Sequence, residues 1–85
     1  MNRRYIVVHT PRFERSFRKL RPEFQRRTSE QILILEVQPR TGKPLHGHLK
    51  GLFSLRVGEY RVIYEIHEQR IILHTVGHRR AVYEI

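Results

Sequence analysis

Two arginine-bearing stretches carry the chemistry of this chain. "FSLRVGEYRVIY", Phe53 to Tyr64, sets Arg56 and Arg61 in an otherwise apolar, alternating run, and "TVGHRRAVYEI" follows with His78, Arg79, Arg80 and Tyr83. A guanidinium is a planar fork of donors that fits the nonbridging oxygens of a phosphate and stabilises charge gained there in phosphoryl transfer. A phenol such as Tyr83 stacks on a base or orients a hydroxyl. His74 and His78 offer imidazoles for either proton exchange or plain hydrogen bonding beside such a site. These residue types describe a pocket for a phosphodiester. The competing reading is a solvated basic face with Tyr83 packed at the carboxyl end. Metal chemistry has less support: of the six histidines, His46 and His48 flank a loop glycine, without a neighbouring carboxylate or cysteine to complete a ligand set. No metal or cofactor is expected.

The elements that must position these groups follow from periodicity. Successive strand side chains point to opposite faces, so Phe53, Leu55 and Val57 share one face and Arg56 lies on the other. Gly58-Glu59 suits a two-residue type II′ loop. Val57 then pairs Tyr60, and Arg56 lands opposite Arg61. Like charges so placed destabilise a sheet, by about 0.2–1 kcal/mol on the scale of cross-strand pairs, which invites a polyanion. A third strand, "RIILHTVG", follows the turn "HEQR". Pairing Ile66 with Ile71 sets Tyr64 against Leu73, Ile63 against His74 and Arg61 near Val76. Arg56, Arg61 and His74 then share a face, and Leu55, Val57, Tyr60, Val62, Tyr64 and Leu73 gather on the opposite one. Gly77 supplies a bend that folds the last residues over the arginine face.

Upstream, "RYIVVHT" reads as a short strand, with Thr10 as N-cap and Pro11 as first residue of a helix. Phe13, Phe17 and Leu20 mark its apolar stripe. Arg21-Pro22 breaks it and starts a second helix, striped by Phe24, Thr28, Gln31/Ile32 and Leu35, which Gln38-Pro39 ends. The expected fold is α+β: a strand, a helical hairpin, a loop through "QPRTGKP", then an antiparallel three-strand meander.

Eighty-five residues predict one small two-layer domain spanning 1–85. The absence of cysteine excludes disulfide staples, thiolate metal sites and a cysteine nucleophile. Seventeen Lys and Arg against eight Asp and Glu give a net charge of +9 and a pI near 11.1, an excess that attracts nucleic acid, anionic membrane or an acidic protein. In "MNRRYIVVHTPRF" the apolar run before Pro11 is too short for a signal segment or membrane span, so a soluble cytoplasmic protein with no membrane partner is expected.

Taken together, "LHGHLKGLFSLRVGEYRVIYEI" and "VGHRRAVYEI" resemble the RelE/ParE toxin superfamily of type II toxin–antitoxin modules, over nearly the whole chain. The resemblance implies a compact toxin neutralised by a cognate antitoxin. Its RelE-like branch cleaves messenger RNA in the ribosomal A site, and its ParE-like branch poisons DNA gyrase. Residue by residue, the branch's central phosphate-binding arginine matches Arg61, the arginine after the glycine bend matches Arg79, and the terminal tyrosine matches Tyr83. One family lysine position matches Arg56 and another matches Ser54. Arginine holds phosphate but gives up a proton poorly, and Ser54 carries no charge. The resemblance thus implies a metal-independent endoribonuclease with Arg56, Arg61, Arg79 and Tyr83 at its catalytic site. Lys50, Ser54, His74, His78 and Arg80 would contact RNA. A gyrase-directed toxin and an inactive nucleic-acid-binding module are the alternatives.

Overall fold

The computed structural model describes residues 4–83. Strand β1 (Ile6–His9) leads into helix α1 (Pro11–Arg18) and helix α2 (Pro22–Leu35). A two-residue strand β2 (Lys43–Pro44) follows, then β3 (Leu52–Val57), β4 (Tyr60–His67) and β5 (Arg70–His78). The strands form one five-stranded sheet in the order β1-β5-β4-β3-β2. The α+β architecture is as expected, with two additions to the three-strand meander. β1 joins β5 in parallel, and Lys43–Pro44 inside the expected loop pairs antiparallel with β3.

Both helices start where local chemistry directs. Thr10 Oγ1 accepts from the Phe13 amide at 3.1 Å and Pro11 stands at the first helical position. The same hydroxyl donates to the Leu73 carbonyl at 2.8 Å, so the cap also ties the helix to β5. Further along α1, Ser16 Oγ accepts from the Val76 amide at 3.1 Å, satisfying a strand-edge donor beyond the end of β1.

The helices cover one face of the sheet. Phe13, Leu20, Ile32 and Leu35 pack with Leu55, Val57, Val62, Tyr64, Ile71, Leu73 and Val76. Tyr64 is fully buried, and its hydroxyl donates to the Pro39 carbonyl at 2.7 Å while accepting from the Gly42 amide at 2.9 Å. A β-carbon on Gly42 would lie 2.6 Å from that oxygen, so only glycine lets the loop close over the ring. Burial raises the Tyr64 pKa, against smaller lowering effects of the Gly42 amide and Arg40.

The register agrees with the alternation through Val57–Tyr60, Arg56–Arg61, Ile66–Ile71 and Tyr64–Leu73. It departs from it at one place. Between Ile63 and Tyr64 the ladder slips, and Ile63 faces Thr75 while Arg61 faces Gly77. His74 is the extra residue of a β-bulge, so the expected Ile63–His74 and Arg61–Val76 neighbours are each corrected by one position. The β3–β4 loop has Gly58 at φ 59°, as a type II′ turn requires, whereas the β4–β5 loop places Glu68 at φ 56°.

Candidate nucleic-acid interface

The face of the sheet away from the helices is built in rows. Arg56 of β3, Arg61 of β4 and Gly77 of β5 lie side by side nearest the β3–β4 turn, and Ser54, Ile63 and Thr75 form the next row. After β5 the chain turns back over these rows. The amides of Ala81 and Val82 bond the His78 carbonyl at 2.9 and 3.0 Å, and Val82 is buried with its Cβ 3.5 Å from where a Gly77 β-carbon would be. Gly77 thus faces the returning segment at ordinary packing distance. Ile63, fully buried although it points away from the helices, is part of the same overlay.

The opposed arginines have different surroundings. Arg61 Nη1 donates to the carbonyls of Tyr60 at 3.1 Å and Gly58 at 3.3 Å, so its charge rests on turn dipoles. Arg56 is exposed and borders a polar recess of about 160 Å³ that also receives Arg27, Glu30 and Gln31 from α2. Glu59, at the hairpin tip, organises the third arginine: its carboxylate Oε2 lies 3.1 Å from Arg79 Nε and 3.8 Å from His78 Nε2. Its carbonyl accepts the Arg79 amide at 2.9 Å. His78 Nδ1 accepts from the Arg80 amide at 3.2 Å. The Arg80 side chain is exposed and makes no ion pair or hydrogen bond among the described residues. Tyr83 reaches from the returning segment across to β3, where its hydroxyl lies 2.7 Å from Ser54 Oγ.

Arg56 and Arg61 thus stand opposed beside the hairpin tip, Arg79 joins that tip through Glu59, and Tyr83 meets Ser54 in the next row. His78, expected with them, pairs Tyr60 and lies edge-on to its ring, which packs on Phe24 of α2, so it belongs to the helix side of the sheet, and Arg80 is exposed beyond it. Two further expected members lie elsewhere. Lys50 is exposed in the turn before β3, at the opposite end of that strand. His74 bonds Glu65 Oε1 through Nε2 at 2.6 Å, and Glu65 is four residues along β4 from Arg61, about 13 Å in an extended strand. Glu59 and Glu65 escaped sequence reasoning. The only signal for Glu59 was a lone carboxylate in a two-residue turn between arginine-bearing strands, and for Glu65 its place on the arginine side of the alternation. His46 and His48 are exposed, and the described residues contain no group of three or more His, Cys, Asp or Glu placed to hold a metal ion.

A second surface lies on the helix side. A recess of about 280 Å³ opens between α1 and α2, lined by His9, Phe13, Phe17, Arg18 and Ile32 among others. An adjoining recess shares His9, Ser29 and Ile32 with it and adds Leu33, an apolar side chain 59% exposed. Among the described residues no helix is long and apolar enough to cross a membrane.

Comparison with known proteins identifies the family and matches the fold. The family model described as the ParE toxin of the type II toxin–antitoxin system parDE matches residues 7–83. Toxin RelG of Mycobacterium tuberculosis is 35% identical over 83 residues, covering 93% of this chain and 95% of its own. The crystal structure of the toxin–antitoxin complex RelBE2 from the same organism contains a chain that superposes with a TM-score of 0.82 at 35% identity, covering 89% of this chain and 99% of that one. A mutant of E. coli toxin RelE in the free state shares the fold at a TM-score of 0.80 and 17% identity, with 95% and 92% of the two chains covered. With its hairpin of opposed arginines, its returning tyrosine segment and these matches over nearly its full length, the chain belongs to the RelE/ParE superfamily of type II toxin–antitoxin toxins, on the RelE-like branch.

Proposed function

We propose that this toxin is a ribosome-dependent messenger-RNA endoribonuclease acting in the A site. The observation that carries the reading is the meeting of three arginines at the β3–β4 hairpin, Arg56 opposite Arg61 and Arg79 on Glu59 at its tip, with Tyr83 on Ser54 one row away. In the reaction the RNA 2′-oxygen attacks the adjacent phosphorus and the bond to the 5′-oxygen breaks. The ends are a 2′,3′-cyclic phosphate and a 5′-hydroxyl. Arg61 and Arg79 stabilise the charge on the phosphorane-like transition state, Arg56 binds the backbone and Tyr83 orients the substrate. Neither metal nor cofactor enters this scheme.

The protein works as a single cytoplasmic domain, held inactive by a cognate antitoxin. Supporting this partner, relatives from M. tuberculosis and E. coli have been solved as toxin–antitoxin complexes. The recess lined by Phe13, Phe17 and Ile32, extended by Leu33, suits the apolar anchors of an amphipathic helix, and the excess of arginine suits acidic flanks. A gyrase-directed reading has one observation in its favour, the ParE description of the matching family model.

Translation in a purified system, with mapping of ribosome-bound mRNA ends and gyrase supercoiling followed in parallel, separates the two. Cuts within A-site codons with supercoiling unaffected are expected. Intact mRNA with inhibited supercoiling overturns the endoribonuclease reading.

A further inference from the structure

We infer that Ser54 is a positioning residue for Tyr83, and that the two hydroxyls act as one unit in the RNA-cleaving site proposed above, the reading on which this inference rests. Ser54 is only 7% exposed, and the partner of its hydroxyl is the Tyr83 phenol at 2.7 Å. A buried hydroxyl paired with a half-buried phenol is a directional contact, since leaving either unpaired sacrifices a hydrogen bond in a site with little access to water.

The need for such a contact follows from the segment that bears the tyrosine. From Arg79 to Tyr83 the chain is in no strand, and it is held by turn bonds to the His78 and Glu59 carbonyls and by the burial of Val82. These anchors fix the backbone but leave the tyrosine side-chain torsions to be chosen by its far end. Ser54 makes that choice. It lies in the row next to Arg56 and Arg61, two residues away along each strand, roughly 7 Å in an extended chain. A phosphate held by those arginines therefore falls within reach of the phenol. A short uncharged side chain suits this duty, because it presents an oxygen close to the sheet for the phenol to reach. The position matching a family lysine thus has a task here that needs no charge.

The test compares wild type with Ser54→Ala, Ser54→Thr, Tyr83→Phe and the double Ser54→Ala/Tyr83→Phe in A-site mRNA cleavage under ribosome-saturating and sub-saturating conditions. Ser54→Ala should lower kcat about tenfold, as misplacement of one group does, and leave KM within about twofold. Ser54→Thr, which retains the hydroxyl, should restore most of the rate. The double variant should be no slower than Tyr83→Phe alone, because the serine acts only through the phenol. A multiplied loss in the double variant, or a wild-type rate for Ser54→Ala, overturns the inference. A readout independent of activity is the NMR spectrum of the protein with isotope-labelled tyrosine. Tyr83 should occupy one side-chain rotamer in wild type and average among several in Ser54→Ala, and an unchanged rotamer in that variant overturns the inference. Wild-type protein that cuts no mRNA refutes the endoribonuclease reading instead, and the NMR comparison still decides whether Ser54 holds Tyr83.

Discussion

Arg79 Nε and Glu59 Oε2 lie 3.1 Å apart at the tip of the β3–β4 hairpin, so an arginine proposed to hold phosphate already holds a carboxylate. Both side chains are about half exposed, and exposed pairs contribute only about 0.2–1 kcal/mol. Glu59→Gln should therefore leave the unfolding free energy within about 0.5 kcal/mol of wild type. Short RNA should bind more tightly, by about threefold at low salt, once the competing charge is gone. Fluorescence anisotropy with a labelled oligonucleotide measures this. Weaker binding would mean that Glu59 serves chiefly to aim Arg79.

Arg61→Ala removes a guanidinium whose contacts are with turn carbonyls and not with the apolar core. The variant should fold while losing A-site cleavage by about 100-fold or more, the scale on which loss of a transition-state donor is felt. Arg79→Ala should behave similarly. Primer-extension mapping on stalled ribosomes, with circular dichroism as the folding control, gives the answer. Cleavage at the wild-type rate by Arg61→Ala contradicts its assignment.

Binding to RNA should also weaken steeply with salt, since each phosphate contact releases condensed counterions. With Arg56, Arg61 and Arg79 all engaged, the logarithm of affinity should fall with the logarithm of salt concentration at a slope near −2 for single-stranded RNA, about −0.7 per contact. A flat profile between low and moderate ionic strength speaks against a phosphate-binding face.

Tyr64 is an internal post for the loop before β3, bonded to the Pro39 carbonyl and the Gly42 amide. Tyr64→Phe keeps the ring but strips both partners, and should destabilise the protein by about 1–3 kcal/mol in chemical denaturation. Burial raises the Tyr64 pKa above the ordinary 10.0, so above that pH the unfolded chain gives up a proton that the folded chain retains. This stability contribution is complete below about pH 10 and is lost as pH rises toward the folded-state pKa. Tyr64→Phe should flatten that alkaline decline.

Glu68 sits at φ 56° in the β4–β5 turn, a left-handed conformation that strains an L side chain by about 1–2 kcal/mol. Glycine relieves the strain, and the extra freedom of its unfolded chain takes back about 0.5–1 kcal/mol. Glu68→Gly should thus raise stability by about 0.5–1 kcal/mol, measured as a higher denaturation midpoint with unchanged slope. Its exposed contact with His67 is too weak to reverse the sign.

How much of this could be read from the sequence depended on the range of the force involved. The cap at Thr10, the break at Pro22 and the II′ turn at Gly58 are decided by neighbours in the chain, and they fell where local chemistry placed them. The apolar faces of β3 and β4 were equally legible, because a period of two has only one way to present Leu55, Val57, Val62 and Tyr64 to a core. That same period set Arg56 against Arg61.

What only the tertiary structure decided is how distant segments meet. No local pattern says that β1 runs parallel beside β5, or that Lys43–Pro44 adds an edge to β3, since edge pairing depends on backbone groups left free by the rest of the fold. The bulge at His74 is likewise a compromise in the β5 ladder, and it carries that histidine to Glu65 and out of the expected register. Surface charges have no period to betray their partners, which hid Glu59 from Arg79 in the sequence. Ser54 and Tyr83 are separated by 29 residues. Their types were plain in the sequence, but their contact depends on the chain turning back across the sheet after β5, held by the bonds to the His78 carbonyl and the burial of Val82. The sequence by itself thus determined the elements, their buried faces and the arginine-rich chemistry. Long-range packing decided which of those residues share a site.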